Sequence, residues 1–141
     1  MQINFDMDGT LANFYGVDGW LDFLMCGDPT PYAEAKPLFN FSALARVLHR
    51  LQKEGHEICI ISWLAKNSND DFDNMVIETK KKWLAKHLPS VVWDRVTIVP
   101  YGTPKEQLGC DILFDDEIQN RENWIGQAYD VENILEVLKA L

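Results

Sequence analysis

Positive charge is scarce in this chain of 141 residues. Thirteen Lys and Arg stand against 22 Asp and Glu, leaving a formal net charge of −9. An extended nucleic-acid partner needs a basic face to replace the counterions of its backbone, so no nucleic-acid polymer is expected. A small phosphorylated ligand is not excluded, because a local cation or a metal suffices for it. Cysteine is equally sparse. Cys26, Cys59 and Cys110 are odd in number, scattered and without zinc-like spacing, which argues against a disulfide framework and for buried free thiols. The three histidines, His49, His56 and His87, also lack metal spacing. No apolar run approaches the ~20 residues that span a bilayer. The opening MQINFDMDGT has neither a basic n-region nor an apolar h-region, so no signal peptide is expected and the cytoplasm is the expected compartment. Repeats, low-complexity tracts and long linkers are missing too. With 47% apolar and 25% charged residues, residues 1–141 read as a single domain with a real core.

What is present alternates short apolar runs with amphipathic ones. Gln2 to Phe5 reads as a first strand. Phe41 to Glu54 carries Phe41, Leu44, Ala45, Val47, Leu48 and Leu51 on one helical face, and Gly55 stops it. Glu57 to Ile61 (EICII) is a strand. Asp71 to His87 repeats Phe72, Met75, Val76, Trp83 and Leu84 at helical spacing and ends before Pro89. Arg95 to Val99 and Asp111 to Phe114 read as strands, with a short helix at Pro104 to Leu108 between them. Glu117 to Trp124 reads as helix, Gln127 to Tyr129 as a short last strand, and Val131 to Leu141 as a closing helix. Strands separated by helices of these lengths predict an α/β fold, a Rossmann-like three-layer sandwich with a mostly parallel sheet. Ligands of such sheets bind outside the carboxyl ends of the strands.

Residues just after the strands therefore carry the interest. Asp6 and Asp8 follow the first strand, Ser62 the second, Thr103-Pro104-Lys105 the third after a turn, and Asp115, Asp116 and Glu117 the fourth. A parallel sheet gathers all of these at one edge. Each has an ordinary reading: Asp8-Gly9 as a turn, Asp115 and Asp116 as caps of the next helix, Lys105 as a solvated side chain. Lys105 is unusual even so, because Thr103 as N-cap and Pro104 at N1 would set it near a helix N-terminus, which favours negative charge. An anionic partner would account for it. Together, four carboxylates at one edge repel and raise one another's pKa. A hard divalent cation relieves that repulsion, and oxygen-only ligands favour Mg²⁺ over zinc.

In this order the residues resemble the haloacid dehalogenase superfamily of phosphohydrolases. DMDGT (Asp6 to Thr10) matches its first motif, IIS with Ser62 its second, Lys105 the lysine of its third, and ILFDDE with Asp115 and Asp116 its acidic fourth. MDGTLANFY, KKWLAKHLP and VPYGTPKEQLGCDILFDD look like the 5′(3′)-deoxyribonucleotidase branch, with Lys105 ten residues ahead of Asp115. Lys80, Lys81 and Lys82 compete for the lysine role, but a mid-helix triplet reads more simply as a solvated face. The resemblance implies an Mg²⁺-dependent phosphomonoesterase. Asp6 would be the nucleophile and form an aspartyl phosphate. Asp8 would protonate the leaving alcohol and then activate water. Ser62 and Lys105 would hold the phosphate oxygens. Asp6, the Asp8 backbone carbonyl, Asp115 and Asp116 would hold the cation.

Family members cover the site with an insertion after the first motif. Here only residues 13–40 are available, a reduced helical cap containing VDGWLDFLMCG and PTPYAEAKP. Its aromatic residues Phe14, Tyr15, Trp20 and Phe23 suit either packing or stacking on a base, and Phe14 and Trp20 are the candidate substrate contacts. The expected partner is a small phosphorylated metabolite, a (deoxy)nucleoside monophosphate before a sugar phosphate. A receiver-type phosphoacceptor uses similar residues in another order, with the acidic pair first. Here the pair comes last. A catalytically idle phosphate-binding module would not need all six polar residues.

Overall fold

The computed structural model describes residues 1–141. Its strands are β1 (Gln2–Phe5), β2 (Glu57–Trp63), β3 (Arg95–Val99), β4 (Ile112–Phe114) and β5 (Gln127–Tyr129). Its helices are α1 (Trp20–Met25), α2 (Thr30–Glu34), α3 (Phe41–Lys53), α4 (Asp70–His87), α5 (Ile118–Asn123) and α6 (Ile134–Ala140). The strands form one sheet in the order β3-β2-β1-β4-β5, every neighbouring pair parallel. β1 pairs with β2 and β4, so its carboxyl end opens at the centre of the edge. The expected Rossmann-like fold is the observed one.

Period-2 alternation divides the side chains between two faces. Ile3 and Phe5 of β1, Ile58 and Ile60 of β2, and Ile112 and Phe114 of β4 share one cluster with Leu44, Val47, Leu48 and Leu51 of α3 and Leu138 of α6. Ile61 and Leu113 point the other way, onto Trp124. Leu48 is fully buried, and truncating such a residue to Ala costs roughly 2–5 kcal/mol. Helix starts are fixed locally. The Asn40 and Asn69 side chains accept from the backbone N–H of Ala43 (3.0 Å) and Phe72 (2.9 Å) at the starts of α3 and α4. Asp70, Asp71 and Asp73 in the first turn of α4, and Lys86 and His87 in its last, complement its dipole.

Two local expectations give way. Strand β2 runs on to Trp63, so Ser62 lies inside the strand rather than after it; pairing with Ile98 and Val99 of β3 holds those two extra residues extended. Of the cysteines only Cys59 is buried, while Cys26 and Cys110 are exposed because they sit in the turns after α1 and before β4. Residues 13–40 hold a 3-10 turn (Phe14–Gly16), α1 and α2. Phe14 and Tyr32 pack with Leu64, Phe72 and Val76, and Trp83 Nε1 donates to the Ala35 carbonyl at 2.7 Å. No helix of the chain is long and apolar enough to cross a membrane.

Candidate active site

The backbone leaves β1 through Asp6, whose N–H donates to the Phe114 carbonyl and extends the ladder by one residue. The chain then turns, with the N–H groups of Thr10, Leu11 and Ala12 all directed at the Met7 carbonyl. Gly9 has φ +82°, and a Cβ there would collide with the Asp116 carboxylate, so both the turn and the close approach require glycine. Thr10 is fully buried. Its hydroxyl lies 2.9 Å from Asp6 Oδ2 as donor and accepts from the Asp116 N–H at 3.1 Å. It thereby ties the loop after β1 to the loop after β4.

Asp6, Asp115 and Asp116 offer carboxylate oxygens that all lie within 4.8 Å of one another. Three hard oxygen donors at that spacing fit Mg²⁺. Lys105 bridges two of them, with Nζ 2.9 Å from Asp6 Oδ1 and 2.7 Å from Asp115 Oδ2. Asp115 is held further: Oδ1 accepts from the Glu117 N–H (2.9 Å), Oδ2 from Asn120 (3.1 Å), and its carbonyl from Arg121 (2.9 Å). Lys105 opens a 3-10 turn (Lys105–Gln107). Thr103 does not cap it; its hydroxyl donates back to the Pro100 carbonyl at 2.6 Å. The lysine is buried rather than solvated, so its ion pairs take the place of the water it has lost.

Charge is uneven across this cluster. Burial opposes ionisation of Asp6, but Lys105 and hydrogen bonds from its neighbours outweigh it and hold the carboxyl below its usual range. Burial, with the Asp6 charge added, pushes Asp115 up to about 6 and Asp116 up to about 8. Asp8 is raised by burial despite the nearby Lys80. Burial works against the Lys105 charge, yet Asp6 and Asp115 raise its pKa. Two carboxyls with opposed environments thus stand two residues apart, Asp6 held below its usual range and Asp8 raised above it.

Lys80 corrects the sequence reading. Lys81 and Lys82 are exposed as expected, but Lys80 is only 1% exposed. Its Nζ lies 2.9 Å from Asp8 Oδ2, 2.7 Å from Ser62 Oγ and 2.8 Å from the Trp63 carbonyl. The signal was in the spacing: Phe72, Val76, Lys80 and Leu84 form an i+4 stripe, and the other three are buried. Sequence reasoning also assigned nothing to Asn120 and Arg121, which brace Asp115.

Above these groups lies a cavity of about 500 Å³. Asp6, Asp8, Lys105, Asp115 and Asp116 line its polar end. Phe14, Tyr15 and Trp20 come from residues 13–40, and Trp63 and Tyr101 from the ends of β2 and β3. Tyr15 and Trp20 meet edge to face at 5.1 Å between centroids, and Trp63 and Tyr101 meet at 5.0 Å. Phe23 does not line the cavity, whereas Trp63 and Tyr101, which sequence reasoning missed, do. Lys66, whose Nζ lies 5.9 Å from the Tyr101 ring centroid, is at the same end.

The model of one protein family, "5' nucleotidase, deoxy (Pyrimidine), cytosolic type C protein", matches residues 32–135. That span includes Ser62, Lys80, Lys105, Asp115 and Asp116. No curated protein sequence matches the chain. Among solved structures it is similar to D,D-heptose 1,7-bisphosphate phosphatase from B. bronchiseptica, complexed with magnesium and phosphate. The identity is 11% and the TM-score 0.58, over 99% of this chain and 98% of that one. The enzyme of the same name from Burkholderia thailandensis is 13% identical with TM-score 0.51, over 86% of this chain and 69% of that one. At such identities the likeness is one of fold.

Proposed function

The chain belongs to the deoxy (pyrimidine), cytosolic type C 5′-nucleotidase family of haloacid dehalogenase-type phosphatases, and from that premise we propose an Mg²⁺-dependent reaction through an aspartyl phosphate on Asp6, with a (deoxy)nucleoside monophosphate as substrate. One observation carries the reading. A three-carboxylate cluster, a buried lysine and a further aspartate whose pKa burial raises open together into an aromatic cavity.

The chemistry follows from the environments. Asp6 Oδ1 is bound by Lys105 and Oδ2 by Thr10, so the carboxylate is aimed and kept ionised. It attacks phosphorus as the ester P–O bond breaks. Asp8 accepts from Lys80 through Oδ2, which leaves Oδ1 to carry the proton that passes to the departing alkoxide. Asp8, now ionised, takes a proton from water; that water attacks phosphorus, releases phosphate and restores the Asp6 carboxylate. Lys105 and the Ser62 hydroxyl stabilise charge on the transferring phosphoryl oxygens. Asp6, Asp115, Asp116 and the Asp8 carbonyl would hold Mg²⁺, which neutralises the carboxylates and polarises the phosphoryl group when bound.

The aromatic pairs favour a flat leaving group. Base–aromatic stacking contributes about 1–3 kcal/mol per base, and an uncharged ring matches the Tyr15, Trp20, Trp63 and Tyr101 surfaces better than a polyhydroxylated sugar does. The test is kcat/KM over deoxynucleoside monophosphates, sugar phosphates and phosphorylated oligonucleotides, with Mg²⁺ and with EDTA. The reading expects nucleotides to lead and EDTA to abolish turnover. Sugar phosphates far ahead of nucleotides would overturn the substrate, and full activity in EDTA would overturn the metal.

A further inference from the structure

We propose that Lys80 is a positioning residue for catalysis, fixing the Asp8 carboxyl and the Ser62 hydroxyl in their working orientations, a role that rests on Asp8 serving as the acid. An ammonium group has three N–H donors and no acceptor. Those of Lys80 face three acceptors within 2.9 Å, on Asp8, Ser62 and Trp63. The consequence for Ser62 is directional. Its oxygen accepts from Lys80, so its own proton is left to donate. Ser62 is fully buried and lies beneath the cavity rather than in its lining, and a bound phosphoryl oxygen is the acceptor assigned to it. For Asp8, Oδ2 is engaged and Oδ1 is the free oxygen for the leaving group. Trp63 contributes a carbonyl that cannot rotate, so the ammonium is anchored to the rigid β2 backbone.

Packing alone does not account for this lysine. It occupies the i+4 stripe of α4 with Phe72, Val76 and Leu84, all buried, and lies 5.2 Å from the Tyr32 ring centroid. An apolar residue of that size would fill the same space. Buried ion pairs are often replaced by apolar residues with no loss of stability or a gain. A second cation beside Lys105 brings no evident stability but gives Asp8 and Ser62 a common fixed neighbour. Lys105 serves Asp6 and Asp115 in the same way, so each of the two aspartates of DMDGT has its own buried lysine.

The test compares two esters that differ in their need for a proton. The p-nitrophenolate ion leaves unaided; the alkoxide of benzyl phosphate does not. Loss of a positioned acid lowers kcat/KM for benzyl phosphate selectively, and Asp8→Asn supplies the reference. Lys80→Met is expected to depress kcat/KM for benzyl phosphate at least about tenfold more than for p-nitrophenyl phosphate. It is also expected to be less than multiplicative with Ser62→Ala, since both act on one phosphoryl contact. Lys81→Met, on the exposed face, is the control and leaves both rates unchanged. Should Lys80→Met not fold by circular dichroism, Lys80→Gln, which keeps a donor and most of the volume, carries the same comparison. Equal losses on both esters, with effects that multiply with Ser62→Ala, would overturn the assignment of Lys80 while Asp8→Asn remains selective. If Asp8→Asn itself shows no selectivity, Asp8 is not the acid, and both roles fall together.

Discussion

Asp6, Ser62, Lys80, Lys105 and Asp115 are at most 7% exposed, and each is bonded to a residue from another element. Helix α1, part of the wall over them, has no buried residue at all, and its Met25 is 77% exposed. The floor is over-determined, because β1, β2, β4, α4 and the 3-10 turn at Lys105 all converge on it. The wall is held through Phe14, Tyr32 and Ala35, at its root, and α1 is carried outward from there. Few buried contacts mean low local stability, so the wall is the region free to vary with the leaving group. The proposed phosphate chemistry is assigned to the floor. On the proposed function, reaction type and substrate range are assigned to physically different parts of one cavity, and substitutions in the two parts should fail differently.

The sharpest contrast comes from Asp6→Asn. Removing the nucleophile should lower kcat about 10⁴-fold or more for every ester, measured with p-nitrophenyl phosphate and a nucleotide side by side; retained activity on either would break the floor's side of the comparison. Asp8→Asn should cost roughly 10²–10⁴-fold in kcat/KM for alkyl esters and much less for p-nitrophenyl phosphate. Trp20→Ala should act in the opposite pattern, leaving kcat for p-nitrophenyl phosphate within about twofold and lowering kcat/KM for nucleotides about tenfold, as loss of one stacking surface would. If Trp20→Ala lowers all substrates equally, the wall is part of the chemistry and the division fails.

The smallest effect is on stability. Asp115 and Asp116 titrate near 6 and 8 in the fold, above the ordinary carboxylate range of the unfolded chain. Between about pH 4 and 8 the native state therefore binds more protons than the unfolded one, and stability falls as pH rises. Asp6, held low, contributes in the other direction only at more acidic pH. Melting in EDTA should drop by a few degrees from pH 5.5 to 8.5, Asp116→Asn should flatten the slope, and millimolar Mg²⁺ should raise Tm more at pH 8 than at pH 6. A Tm that rises with pH in EDTA would show that these carboxyls do not share the strain assigned to them.

Most of the floor was legible in the chain because its residues sit at the ends of strands that announce themselves by apolar runs. Asp6, Asp8, Lys105, Asp115 and Asp116 fall where a parallel sheet must bring them, and all of them line one cavity. The end of β2 was read two residues early, at Ile61 instead of Trp63, so Ser62 lies inside the strand, since strand length depends on the β3 partner and not on local sequence. Lys80 was missed for a physical reason. A lysine in KKK has two exposed neighbours, and only the i+4 stripe from Phe72 separates it from them. The wall was read less well. Phe14 and Trp20 line the cavity, but Phe23 does not, and Trp63 and Tyr101 reach it from the ends of strands. Where an aromatic ring points depends on tertiary packing, which spacing does not encode.

The claim on which the rest depends is that Asp6 carries the phosphoryl group. Asp8→Asn, incubated with p-nitrophenyl phosphate and Mg²⁺, should form the acyl phosphate readily, since that leaving group needs no acid, and break it down slowly, since the base for water is gone. Acid quenching followed by borohydride reduction converts an aspartyl phosphate to homoserine, which peptide sequencing locates. The account predicts homoserine at position 6 alone, in an amount that follows the burst of p-nitrophenolate. Homoserine at another aspartate, or a full burst with none at position 6, would contradict it.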